Sequence, residues 1–331
     1  MKPVRVGVWG VGVWGEKHAR VYASNPEALL AGVYDRDAAK ASAVAAQHGA
    51  RAFGTPEELL AACEAVSIAV PTVAHRAAVE QAAAAGVHAL VEKPMAVTLA
   101  EADAMLEAAK RAGTVLQVGH VERFNPALAA ARPAIGKVRF VEAHRLALFQ
   151  PRSLDIDVVF DLMIHDLDIV LQAIGSLPTL VSAVGVAVLS GNEDIANARL
   201  EFADGCVANL TASRVSQERL RRIRFFQEDS YLSIDLFEKK VDHLSLDRSL
   251  LTSATAQPLQ LAAAIRKHEV TIATTEPLTL ELAAFLRSLR GAGEGAASGR
   301  AGRDALAVAE AVRAGMKQRA RQWAIPQNAA S

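Results

Sequence analysis

The stretch Val4-Arg5-Val6-Gly7-Val8-Trp9-Gly10-Val11-Gly12-Val13-Trp14-Gly15 decides the fold. A short apolar run enters a GxGxxG turn, and residues 16–25 then read as a helix stopped by Pro26. Such a glycine pattern is common in loops when it stands alone. Here it follows a strand, opens a helix, and is answered by Asp35 twenty residues beyond Gly15. Gly10 permits the tight turn, Gly12 lets a pyrophosphate approach the backbone, and Gly15 lets helix and strand pack closely. The helix N-terminus adds a partial positive charge for the phosphates. Asp35, closing the second strand, is placed to accept hydrogen bonds from ribose hydroxyls. Val13 and Trp14, inside the turn, complete the first set of cofactor candidates.

Outward from this unit the alternation continues. Residues 29–34, 51–53, 66–70, 87–92 and 115–119 read as buried strands, and the segments between them as helices. Thr55 with Pro56 and Glu58, and Thr98 with Glu101, are helix-opening capping boxes, while Gly49, Gly86 and Gly113 close helices. Apolar strands each followed by a helix give a parallel sheet covered on both faces, a doubly wound Rossmann domain over residues 1–120. After His120 the rhythm changes. Residues 138–146 alternate, residues 158–174 read as a helix, and short strands then follow one another at 180–189, 195–202, 207–212, 222–226 and 231–235. Strand after strand through short turns implies an α+β domain with an open, mainly antiparallel sheet over residues 121–331, closed by helices at 278–289 and 304–319.

In an open parallel sheet, ligands sit beyond the carboxyl ends of the strands. That singles out Pro71-Thr72, Glu92-Lys93-Pro94 and Gly119-His120. Lys93 directly follows an apolar strand, so its ammonium projects toward the cleft as a candidate proton carrier, and Pro94 fixes the turn, with a cis bond open to it. Asp161 and His165 stand at i and i+4, on one face of the expected helix. The imidazole can remove a hydroxyl proton, and Asp161 can orient it or bind substrate. A surface hydrogen bond is the ordinary alternative for such a pair. No further ligand spacing supports a metal, so none is expected. His18, His75 and His120 lie near strand or helix ends, where packing is their usual fate; His75 alone is placed to approach the cofactor.

Gly10-x-Gly12-x-x-Gly15-x-x-His18, then Glu92-Lys93-Pro94, then Asp161-x-x-x-His165, then Glu276-Pro277-Leu278 with Glu281, stand in the order found in the glucose–fructose oxidoreductase, inositol dehydrogenase and rhizopine-catabolism (Gfo/Idh/MocA) family. The chain resembles that family over essentially its whole length. The resemblance implies an NAD(P)-dependent sugar dehydrogenase with Lys93, Asp161 and His165 as catalytic residues, working as a homo-oligomer (dimer or tetramer). One departure is Val158-Val159-Phe160, where the family often carries glycines. Further stretches, from Val118 to Pro126 and from Ile195 to Leu200, resemble the nucleotide-sugar 3-dehydrogenases of the family, implying oxidation at C3 of a UDP-N-acetylglucosamine-type substrate. A free-sugar or inositol dehydrogenase, or a non-catalytic NAD-binding sensor, is the alternative. Arg123, Asn125, Arg152 and Ser153 join Lys93 and His165 as substrate contacts, since guanidinium and amide groups suit phosphates and sugar hydroxyls. Salt bridges and turns are their ordinary alternatives. Among cofactors Asp35 favours NAD over NADP, because its carboxylate repels a 2′-phosphate; Arg36 beside it is the residue that would pair with one.

Composition agrees with such an enzyme. Hydrophobic residues make up 51% of 331, and 36 Lys plus Arg balance 36 Asp plus Glu, so the general basic field used by nucleic-acid and anionic-membrane binders is missing. The two cysteines, Cys63 and Cys206, form no CxxC pair, and no leader or 18-residue apolar span is legible, which together point to the cytoplasm.

Overall fold

The computed structural model describes residues 2–150, 156–250, 263–291 and 297–324. The chain divides into two units, Met1–Phe124 with Thr275–Leu306, and Asn125–Thr274 with Ala307–Ser331.

The first unit is built on six strands: β1 (Val4–Trp9), β2 (Ala28–Tyr34), β3 (Arg51–Ala52), β4 (Ala65–Ile68), β5 (His88–Glu92) and β6 (Leu116–Gly119). They pair in the order β3-β2-β1-β4-β5-β6, all parallel. Val6, Val8, Val66, Ile68, Leu90 and Val91 are fully buried, as strands covered on both faces require. The order reverses between β1 and β4, the switch point at which open parallel sheets bind ligands. Both capping boxes form with one difference. Thr55 Oγ1 accepts from Glu58 N at 3.2 Å and Thr98 Oγ1 from Glu101 N at 3.3 Å. The glutamate carboxylates, however, reach one residue further back, to Gly54 N and Val97 N, both at 3.0 Å.

A division into two continuous stretches at residue 120 does not hold, because residues 275–306 return to the first unit. The reason is apolar. Leu278, Leu282, Phe285 and Leu286 of the helix Pro277–Ser288 join the core formed by Val6, Val8, Tyr22 and Leu90. Further along, Val118 N donates to Ala297 O at 2.9 Å, and a side chain at Gly302 would collide with Val118. The terminal helix also starts earlier than its pattern suggests, at Gly299, and runs to Ala324.

The second unit carries β7 (Val138–Leu146), β8 (Leu180–Val186), β9 (Ile195–Glu201), β10 (Val207–Ser213), β11 (Leu220–Gln227), β12 (Ser230–Asp235), β13 (Lys240–Leu246) and β14 (Ile265–His268). They form one sheet in the order β14-β13-β12-β11-β7-β10-β9-β8. Every pairing is antiparallel except β7 with β10, because β7 inserts between β10 and β11. The helix Ile164–Ile174 is clamped to the sheet by a buried bidentate ion pair, in which Arg145 of β7 donates Nε and Nη2 to Asp166 at 2.9 and 2.8 Å. Among the described residues no helix is long and apolar enough to cross a membrane.

Candidate active site

At the carboxyl ends of β1 and β4 the three glycines have separate reasons to be glycine. Gly10 has φ +89°, and a Cβ there would meet Ala69 O at 2.7 Å. A Cβ on Gly15 would run into the Gly10 carbonyl oxygen, so only glycine lets the helix Val13–Ser24 start this close to the turn. Gly12, at the N-cap of that helix, faces open space with nothing within 4 Å of a built Cβ. This is the cradle an incoming pyrophosphate needs, and the residues present fit a dinucleotide. Gly12→Ala should therefore leave stability within about 0.5 kcal/mol of wild type, since φ is −68° and no atom is displaced. The same methyl occupies the phosphate approach, so NAD affinity should fall at least about tenfold in a fluorescence titration.

Asp35 is held from both sides: Oδ2 accepts from Val11 N at 2.7 Å and Oδ1 from Asp37 N at 2.9 Å. Its carboxylate is thereby fixed beside the glycine turn. Arg36 is exposed, as are Val13 and Trp14, and Lys17 Nζ sits 4.7 Å from the Trp14 ring centre. Pro71 is exposed and Thr72 half-buried in the short turn after β4. Trp9 is half-buried and meets Tyr34 edge-on.

The end of β5 carries a buried pair that sequence reasoning missed. His18 Nε2 lies 3.0 Å from Glu92 Oε1, and Glu92 Oε2 accepts from Lys93 N at 3.3 Å. Gly119, opposite Glu92 on β6, gives the carboxylate room, since a Cβ there would stand 3.0 Å from Oε1. The pair joins residues 74 positions apart, so only the shared GxGxxGxxH and Glu-Lys-Pro patterns could have hinted at it. Lys93 is half-buried and enters a cis bond to Pro94. His75 is spent on the backbone: Nδ1 lies 3.0 Å from Pro94 O and Nε2 3.0 Å from Val70 O, and burial holds its pKa below the usual value. It braces the turns after β4 and β5. His120 and Arg123 are buried.

Asn125 departs from the substrate-contact expectation. It is buried in the second unit, its Oδ1 caps the helix Pro126–Ala131 through Ala127 N at 3.1 Å, and its Nδ2 donates to Leu236 O at 2.9 Å. That is a structural use of the amide. Arg152 and Ser153 lie outside the described residues.

The expected continuous helix over residues 158–174 is broken. Val159–Met163 form a π-turn, and the regular helix starts at Ile164. Two β-branched residues and a phenylalanine in a row crowd the preceding turn, and Asp157 draws Val159 N and Phe160 N to its Oδ1 at 3.0 and 3.2 Å. Asp161 thus sits within a widened turn, a feature frequent at functional sites, with His165 one turn on; both are half-buried. Burial raises the Asp157 carboxyl above its ordinary range. Asp161 also lines a cavity with Arg145, Arg214, Arg219, Arg221 and Phe237. These arginines were not read from the sequence as site residues, since Arg219-Leu220-Arg221-Arg222-Ile223 has no regular alternation. Among the described residues no group of three His, Cys, Asp or Glu is arranged to hold a metal.

Residues 4–120 match the model of an oxidoreductase family with an NAD-binding Rossmann fold, and residues 129–232 match the GFO/IDH/MocA C-terminal domain. The chain belongs to the Gfo/Idh/MocA oxidoreductase family. Within this family it is 42% identical over 311 residues to UDP-N-acetylglucosamine 3-dehydrogenase of Acidithiobacillus ferrooxidans, covering 94% of this chain and 96% of that one. The solved structure of that enzyme aligns with a TM-score of 0.87 at 41% identity, over 96% of this chain and 99% of the other. D-apiose dehydrogenase of Paraburkholderia graminis is 30% identical over 325 residues, covering 91% of this chain and 84% of that one. An inositol 2-dehydrogenase of Rhizobium meliloti is also 30% identical, over 64% of this chain and 69% of that one.

Proposed function

We propose that this Gfo/Idh/MocA oxidoreductase oxidises the C3 hydroxyl of UDP-N-acetylglucosamine or a close sugar nucleotide, with NAD as acceptor. The observation that carries the reading is the 42% identity to a UDP-N-acetylglucosamine 3-dehydrogenase across 94% of the chain, which includes the unit holding Asp161 and His165. The likeness to the inositol enzyme is weaker and covers 64%.

When bound, the nicotinamide supplies the hydride acceptor. Gly10, Gly12 and Gly15 admit the dinucleotide, and Asp35 binds its ribose. His165 or Lys93 takes the one hydroxyl proton as the C3–H bond breaks and the C=O bond forms. Asp161 positions the histidine and the sugar. Glu92, braced by His18, holds the turn that carries Lys93. The first unit is the cofactor-binding one and the second binds substrate. A homo-oligomer and a reducing, cytoplasmic setting complete the reading; the latter is supported by Cys63 and Cys206, free, buried thiols that burial pushes up to about 11. The test is mass spectrometry of the product from UDP-N-acetylglucosamine and NAD. A species lighter by two hydrogens, located to C3 by borodeuteride trapping, is expected; unchanged substrate with a cofactor-loaded protein rejects the reading.

NAD is preferred over NADP because the fixed Asp35 carboxylate meets the position of a 2′-phosphate. Asp35→Ala should erode the NAD preference in kcat/KM by about tenfold or more, the size of a lost charged hydrogen bond. Equal efficiency with both cofactors in the unmodified enzyme would contradict the preference.

A further inference from the structure

The cavity beside Asp161 has a composition that catalysis on a neutral sugar ring does not require. Four arginines line it, from β7 (Arg145), the end of β10 (Arg214) and the start of β11 (Arg219, Arg221). Two of them also make buried ion pairs within the second unit. Arg145 is paired with Asp166, and Arg214 Nε donates to Asp194 at 2.8 Å, with all four side chains buried. Arg219 and Arg221 are exposed, and the one carboxylate among the cavity's lining residues is Asp161. Arg221 stands directly opposite Arg145 across β11 and β7, so the two side chains share a sheet face. Along β11 the same face continues as Ile223 and Phe225, both buried, so the cations are confined to its cavity end.

Apart from Gln150 the remaining lining is apolar, and two of its large side chains are open to solvent. Phe237 is 44% exposed and Leu148 39% exposed, although each is a large hydrophobic side chain. Guanidinium groups engage phosphate oxygens bidentately, and an open aromatic face suits a planar base.

We propose that this cavity binds the nucleoside diphosphate of the substrate, with Arg219 and Arg221 on the phosphates, Phe237 and Leu148 against the nucleoside, and Asp161 at the sugar end. The inference rests on the sugar-nucleotide reading above and gives it a specificity site. Arg219 and Arg221 are then what separate a sugar nucleotide from an unphosphorylated polyol.

The test is calorimetric titration of the full chain, saturated with NAD, with UDP, uridine and inorganic pyrophosphate. UDP should bind best, and removing either the phosphates or the nucleoside should weaken binding by about tenfold or more. Arg219→Gln and Arg221→Gln should each lower UDP affinity by about tenfold, Arg221→Lys by less, with NAD affinity within about twofold of wild type in all three. UDP affinity unchanged in both Gln variants overturns the assignment, as does pyrophosphate binding as tightly as UDP, or no UDP binding at all. The two readings fail separately. Arginine-dependent UDP binding without turnover of UDP-N-acetylglucosamine supports this site and removes the proposed reaction. Turnover with UDP affinity indifferent to both arginines does the reverse.

Discussion

Lys93→Ala and His165→Ala should each lower kcat by about 10²–10⁴, the usual worth of a positioned proton-transfer group. Dissociation constants for NAD should stay within about threefold, because the dinucleotide cradle is made by Gly10, Gly12, Gly15 and Asp35. Stopped-flow turnover combined with NAD titration separates the two effects. A loss in kcat with intact NAD binding is the signature of a role in the chemical step, whereas parallel loss of both would mean that the turn after β5 had collapsed. Glu92→Gln is the matching control for positioning. It keeps a hydrogen-bonding group near His18 Nε2 and Lys93 N, so kcat should fall less than in Lys93→Ala, by about tenfold, with the pH profile shifted. Wild-type turnover in both alanine variants would remove Lys93 and His165 from the chemistry.

Asp194→Ala should destabilise the protein by about 3–5 kcal/mol at neutral pH, the range for breaking a buried ion pair from one side. Asp194 is fully buried. Burial by itself would push its carboxyl up. That is outweighed by Ser190 Oγ at 2.7 Å, by Ser190 N and Leu189 N at 2.9 and 2.6 Å, and by Arg214 Nε at 2.8 Å, which hold it well below the usual carboxylate range. A group whose folded pKa is depressed adds stability that is complete above its unfolded value, about 3.9, and is lost as the pH falls toward the folded one. The gap between wild type and variant in urea unfolding should therefore be flat from about pH 8 to 5 and narrow below about pH 4. The network reaches the site as well. Arg214 Nη1 donates to Ile156 O at 2.8 Å, and Val158 N donates to Glu193 O at 3.0 Å, so the segment entering the π-turn hangs on the same residues. A gap independent of pH, or no destabilisation, would show that Asp194 is not ionised and paired as described.

The first unit was legible because its signals are local. Apolar runs, the caps Thr55 and Thr98, and the glycines at 10, 15 and 113 each act within a few residues, and the alternation of strand with helix then leaves one architecture. The second unit was read in part. β13 and β14 escaped because Lys240–Leu246 and Ile265–His268 are polar strands at the sheet edge, with little apolar alternation to mark them. The parallel pairing of β7 with β10 joins segments about 70 residues apart, and nothing in either strand announces it. The return of residues 275–306 to the first core is likewise a long-range packing event.

Site residues divide along the same line. The candidates Lys93, Asp161 and His165 rest on motifs of short spacing. The π-turn that carries Asp161 leaves no periodic trace, and the pairs His18 with Glu92 and Arg145 with Asp166 are created by the fold. Asn125 shows the converse case, a residue with a structural use the sequence reading did not include. Its residue type suggested substrate, whereas Pro126 after it marks a helix start that an asparagine caps well.

The measurement that bears most directly on sugar-nucleotide oxidation is absorbance at the reduced-nicotinamide band, using purified protein with NAD and, separately, UDP-N-acetylglucosamine, myo-inositol and glucose. NADH formed with UDP-N-acetylglucosamine, and not with the two unphosphorylated compounds, is the expected result. NADH formed with myo-inositol or glucose while UDP-N-acetylglucosamine stays inert would contradict it, leaving the fold and the dinucleotide cradle in place but assigning the chemistry to a different substrate.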